Sequence, residues 1–167
     1  DSLRRYTYRF VRPELAFRVR RCRSADKARA LAGLIADTLP AALGAAPLGR
    51  PRGEASACGI VFAPHVEGPF GARAVAEALR ARGTPVDVYH GRPPRGMATE
   101  EWVAQRAAAA RRFLGDDSTL LAATKAFGIG IDKPNIRFTV HYGLPAGEEA
   151  FTQESGRAGR DGRPAEC

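Results

Sequence analysis

Two arginines, Arg157 and Arg160, stand three positions apart in the stretch QESGRAGRDG, which runs from Gln153 to Gly162. Gly156, Gly159 and Gly162 punctuate it, and Gln153 and Glu154 precede the pair. Arginine presents a rigid, permanently charged fork that matches phosphate oxygens two at a time. Glycine lets a backbone come close to a ligand. An arginine pair among glycines at a helix end therefore suits a phosphate clamp. It equally suits a solvated basic turn capped by glycine, and the decamer by itself leaves both readings open.

The remaining polar residues narrow the chemistry. Thr124, Lys125 and Asp132 share one Gly-rich segment, with Gly130 beside the aspartate. His65 and His90 have no carboxylate partner at ligand spacing, so no metal centre is expected. His141 falls on a strand and reads as a core or supporting residue. The 3 cysteines are widely spaced and form no CxxC pair, which excludes a disulfide framework and fits a reducing, cytoplasmic setting. A formal net charge of +8 favours a polyanionic partner, nucleic acid ahead of an acidic membrane surface. No apolar run is long enough to span a bilayer and no signal peptide is visible. The chain starts at Asp1 rather than at a methionine, and is expected to be one domain of a longer protein.

The elements that must position these residues follow from hydrophobic periodicity. Residues 1–13 alternate arginines with Tyr6, Tyr8 and Phe10. Such a stretch can stack bases, or can be a linker packed on its own domain. Residues 15–21 alternate as a half-buried strand. Ser24 caps a helix over about 25–39 whose apolar face includes Leu31 and Ile35, with Pro40 as its stop. Residues 40–57 are rich in Pro, Gly and Ala and read as an insertion in a compact fold. GIVFA at 59–63 is a buried central strand. A helix over about 70–82 ends at Gly83, and a strand over 86–89 leads into His90-Gly91. A helix over about 100–114 opens with Glu100 and Glu101, where its dipole favours acids. Strands follow at 119–123 and around Phe138 and Val140, then a helix from about Glu148.

Strands alternating with helices imply right-handed crossovers and a mostly parallel sheet. In such sheets ligands bind beyond the carboxyl ends of the strands. His65, His90, Thr124, Lys125, Asp132, Arg157 and Arg160 are all expected on that one rim.

ATKAFGIGIDKPNIRFTVHYGLP (residues 123–145) and QESGRAGRDGRPAEC (153–167) resemble motifs V and VI of superfamily 2 helicases, in the wording of the RecQ family. GIVFAP and VYHG resemble the motif IV strand and the tyrosine–histidine–glycine strand end of that family. The likeness runs from about Leu15 to Cys167. It implies an α/β, three-layer RecA-like (P-loop NTPase-like) domain, a mostly parallel sheet flanked by helices, preceded by a linker at 1–14 from an N-terminal motor domain.

By the same resemblance, Arg160 is the arginine finger on the γ-phosphate of ATP and Arg157 a second contact to it. Gln153 places nucleotide or water, Asp132 accepts from the ribose, and Gly130 gives the backbone room. Thr124, Lys125, His65, His90 and Gly91 lie along single-stranded DNA. Two departures stand out. The loop after the motif IV strand reads PHVEGP rather than carrying small hydroxyl residues, and VYHG is followed by RPPR rather than Gly-Leu.

The sequence holds neither GxxxxGK[ST] nor an acidic Walker B box. ATP and Mg²⁺ would therefore be held mainly by the other motor domain of the same protein, and this chain alone is expected to be inactive. The resemblance implies an ATP-dependent 3′→5′ DNA helicase acting on single strands or duplex–single-strand junctions. A non-catalytic nucleic-acid-binding module on the same scaffold, or an RNA helicase or translocase, stay open as alternatives.

Overall fold

A computed structural model describes residues 12–44, 48, 56–127 and 132–167. Six strands build one sheet: β1 (Leu15–Ala16), β2 (Cys58–Phe62), β3 (Asp87–Tyr89), β4 (Leu120–Ala123), β5 (Ile136–His141) and β6 (Ala165–Glu166). Their spatial order is β1-β6-β5-β2-β4-β3, and every pairing is parallel. β2 lies at the centre, with Gly59 opposite Leu120 on one side and Phe138 on the other. All five of its residues are buried, as a strand covered on both faces requires.

The helices α1 (Lys27–Gly33), α2 (Leu39–Leu43), α3 (Ala72–Arg80), α4 (Thr99–Leu114) and α5 (Glu148–Ser155) cover both faces. Strand residues alternate between the two layers. Val61, Leu120, Ala122 and Phe138 pack with Leu31 of α1, Leu39 of α2, Leu79 of α3 and Ile35 between the first two. Ile60, Phe62, Leu121 and Ile136 pack with Phe113 of α4 and with Ala158. The expected three-layer, RecA-like architecture is thus present.

Three local expectations are corrected. The predicted strand at 15–21 is only Leu15–Ala16, with Phe17 55% and Val19 100% exposed. β1 is an edge strand whose pairing with β6 covers two residues, and beyond it Phe17 is covered only in part, by a tilted contact with Phe151 at 5.5 Å. Pro40 does not stop the first helix. It sits in α2, after a widened turn over Leu34–Thr38 in which Leu39 N–H bonds the carbonyl five residues back. That turn absorbs the missing N–H and the ring clash of proline. Gly44, at φ 58°, ends the helix instead. So 40–43 are helical, while most of the expected insertion, like Tyr6, Tyr8, Phe10 and Gly130, lies outside the described residues. β6 had no signal in the sequence, since two residues are too few to show alternation.

Candidate nucleotide and nucleic-acid face

α5 begins beyond the carboxyl end of β5 and runs back beside it. Its eight residues cover about 12 Å. The glycine turn that follows therefore reaches the other end of the strand. Gly159 N–H bonds the carbonyl of Ile136, the first residue of β5, at 2.9 Å. Arg157 and Arg160 thus lie along the flank of the sheet and toward its amino end, not on the carboxyl rim that chain order suggested. Gly159 has φ 65°, and a Cβ there would also meet Glu14, Leu15 and the Arg163 carbonyl. Both conditions demand glycine.

The turn is held from behind by a residue outside the motif. Arg12 donates to the carbonyls of Ala158 at 2.9 Å and Gly156 at 3.3 Å, and pairs with Glu14. Sequence reasoning placed Arg12 in a linker. Nothing in local spacing links it to a turn nearly the whole chain away.

Down this flank the charges follow one another. Lys125 is exposed just past the end of β4. Glu154 and Arg157 are partly buried. Burial raises the Glu154 carboxyl while Arg157 and Lys125 pull it back down. Burial, then the nearby Arg160 charge, lowers Arg157. Arg157 Nε is buried and has no hydrogen-bond partner among the described residues. Arg160 donates to Asp132 Oδ1 at 2.9 Å, and the aspartate side chain is 81% exposed. The structure therefore brings Asp132 and Arg160 together directly. Gln153 is apart from them, on the exposed side of α5, donating to Glu149 one turn earlier at 3.1 Å.

Glu154 Oε2 also lies 3.0 Å from His141 Nε2. The approach is out of line for a hydrogen bond, since that nitrogen remains unpartnered. Burial lowers the imidazole and raises the carboxyl, so both groups are pushed toward their neutral forms. The expected supporting role of His141 fits this placement. Its ring stacks with Phe62, at 5.7 Å between centroids, and leans on Phe151.

The carboxyl rim carries the other candidates. Thr124 is buried, its N–H bonded to the Tyr89 carbonyl at 3.2 Å. Gly91 is exposed, and a Cβ there would stand 2.8 Å from Ala126. The loops after β3 and β4 are thus in direct contact. His65 is exposed in a tight loop whose carbonyl accepts from Ala72 N–H. His90, by contrast, is buried. Its Nδ1 lies 2.6 Å from the Arg92 carbonyl, which requires the proton on Nδ1, so the Trp102 N–H at 3.2 Å from that nitrogen is a close approach without a lone pair to accept it. Burial lowers the imidazole.

At the amino end of the sheet, a network gathers residues that motif and periodicity leave without a role. Asp116, at φ 62°, accepts from Lys133 at 2.7 Å, Asn135 at 2.8 Å and the Cys58 thiol at 3.2 Å. Lys133 is only 3% exposed. Burial pushes the Cys58 thiol up to about 12, so it packs as an inert group. The Asp116 carboxyl is held below its ordinary value, its burial outweighed by bonds from Lys133 and Asn135. The network pins the segment between Asp132 and β5. Among the described residues no group of three or more His, Cys, Asp or Glu could hold a metal ion, and no helix is long and apolar enough to cross a membrane.

Comparison with known proteins agrees with this architecture. The helicase conserved C-terminal domain matches residues 48–162. A putative ATP-dependent DNA helicase Q1 of Caenorhabditis elegans is 45% identical over 93 residues, 56% of this chain and 14% of the relative. The ATP-dependent DNA helicase RecQ of Bacillus subtilis (strain 168) is 42% identical over 93 residues, again 56% of this chain and 14% of the relative. The chain therefore spans about a seventh of the length of these relatives. Among solved structures, S. cerevisiae Dbp5 bound to RNA and ADP BeF3 superposes with a TM-score of 0.61 at 23% identity, over 91% of this chain and 33% of that one. The resemblance read from motifs V and VI is borne out: the chain belongs to the helicase conserved C-terminal domain family, with RecQ helicases among its relatives.

Proposed function

We propose that this chain is the C-terminal motor domain of an ATP-dependent DNA helicase of RecQ type, with 3′→5′ polarity. The observation that carries this reading is the buried, unpartnered Nε of Arg157 beside Arg160, on a turn held at its back by Arg12. A buried donor without an acceptor suits an anion. Arg157 and Arg160 would hold the γ-phosphate of ATP, with Arg160 as the finger. ATP bound with Mg²⁺ supplies the phosphoryl group, and both would be held mainly by the N-terminal RecA-like domain of the same protein.

Asp132 accepts a hydrogen bond from Arg160, so the finger is parked on the aspartate assigned to the ribose. Engaging a nucleotide requires the two to part. The pair is exposed, and such pairs hold by only ~0–1 kcal/mol, which a phosphate readily outcompetes. Gly130 and Gln153 complete the nucleotide contacts in this reading. Thr124, Lys125, His65 and Gly91 border the nucleic-acid track on the carboxyl rim, with His90 behind them. On its own this chain would not hydrolyse ATP.

The test is steady-state ATPase of the full-length protein with single-stranded DNA present. Arg160→Ala should lower turnover by ~10³–10⁵-fold, the range for lost arginine fingers. Turnover near that of the unsubstituted protein overturns the finger assignment. Unwinding assayed on DNA and RNA duplexes in parallel tests the DNA preference.

A further inference from the structure

A cavity of about 360 Å³ opens over β3, the strand at the far edge of the sheet, between α3 and α4. It is roughly three strand spacings, about 14 Å, from β5 and the arginine turn. Its walls include Arg73 from α3, His90 and Met97 from the loop after β3, and Trp102 and Arg106 from α4. Three of its four arginines have oxygen partners. Arg80 donates to the Val86 carbonyl, Arg112 pairs with Asp87, and Arg73 pairs with Glu67. Arg106 has no carboxylate partner among the described residues. Its guanidinium lies instead over the Trp102 ring, 4.3 Å from the centroid, and 5.7 Å from the Tyr89 ring.

A guanidinium stacked on an indole makes a planar, cationic platform. Such a platform takes another flat π system on its face, whatever its hydrogen-bonding edge. Glu77 and Asp87 also line the cavity, but its four arginines outnumber them. Arg92 and Arg95 are exposed on the loop whose Pro94 and Met97 line the cavity. That loop continues from Gly91, which stands against Ala126 next to Lys125. The cavity therefore adjoins the carboxyl rim, and the basic side chains are spread along a path rather than converging on one point. Spread cations suit a polymer of phosphates; a single small anion would call for convergent donors.

We propose that this cavity receives one unstacked base of single-stranded DNA, seated on the Arg106–Trp102 platform, with flanking phosphates held by Arg92 and Arg95. The proposal rests on the nucleic-acid reading above and adds a base subsite at the sheet edge. Its volume is at the small end of ligand sites, which run to about 300–1,000 Å³, and suits one nucleotide unit.

Trp102 is the single tryptophan of the chain, so its emission reports on this cavity alone. The experiment titrates the 167-residue chain with an end-labelled oligothymidylate, and with an abasic oligomer of equal length, at low salt. Anisotropy of the label reads binding, and Trp102 emission reads entry into the cavity. Binding of oligothymidylate should quench Trp102, and the abasic strand should bind more weakly and quench several-fold less. Arg106→Ala, with its fold checked by circular dichroism and with Arg106→Gln as a second variant, should weaken oligothymidylate binding at least about fivefold, the low end for losing one stacked base. The abasic strand should be little affected. Binding by anisotropy with Trp102 unchanged overturns the base subsite while leaving the nucleic-acid reading intact. Equal quenching by the abasic strand also overturns it, as a phosphate site. Absence of binding by anisotropy sinks both.

Discussion

The ion pair between Lys133 and Asp116 shows how a motif residue can serve the scaffold. Lys133 belongs to the DKPN wording of motif V, yet its ammonium is buried against Asp116 and the Leu114 carbonyl. Removing one member of a buried pair leaves the other charge uncompensated. Lys133→Ala should therefore lower stability by about 3–5 kcal/mol. Thermal melts of the chain and the variant check this; an unchanged Tm would show that Asp116 finds adequate solvent without the lysine. Arg157 and Arg160 are opposite in kind. One is partly buried with an unpartnered nitrogen, and the other pairs with an exposed aspartate. Residue type and spacing singled out the two arginines, because paired guanidinium groups among glycines suit a phosphate clamp, though they suit a solvated basic turn equally. They could not reveal that Arg160 and Asp132 touch, since 27 residues, with all of β5 and α5 among them, separate the two.

Among the elements, β2 shows what central position demands. A Cβ at Gly59 would stand 1.9 Å from the Phe138 ring on the neighbouring strand. Phe138 is fully buried in the helix layer of α1 to α3 and has nowhere to swing. Gly59→Ala should thus cost about 1–3 kcal/mol, the usual range for overpacking. Urea unfolding measures it, and a midpoint equal to that of the unsubstituted chain would mean that the ring relaxes freely. Long buried strands and amphipathic helices were legible because hydrophobic runs of five or six residues have one solution in an α/β chain. Edge elements were not. β6 is two residues long, and β1 pairs with it over two residues only. The passage through Pro40 was misjudged because a widened turn is set by packing of Ile35 and Leu39 on the core, which periodicity cannot foresee.

At the scale of the whole molecule, the formal charge is +8, and among the described residues basic side chains recur on the sheet flank, with Lys125, Arg157 and Arg160, and around the edge cavity. Binding of single-stranded DNA by this chain should accordingly be weak and fall steeply with salt, because each phosphate contact releases a counterion. Anisotropy across a salt series measures the slope, and affinity that holds constant from low to high salt would contradict a backbone-led interaction. The Arg12 clamp adds a mechanical consequence. Arg12 precedes the first strand, on the stretch read as the tether to another domain, yet it grips the two carbonyls that flank Arg157 and Ala158. If the stretch before β1 tethers a second motor domain, as in the proposed function, a pull on it would reach the arginine turn through these two hydrogen bonds as well as through β1, which begins three residues on.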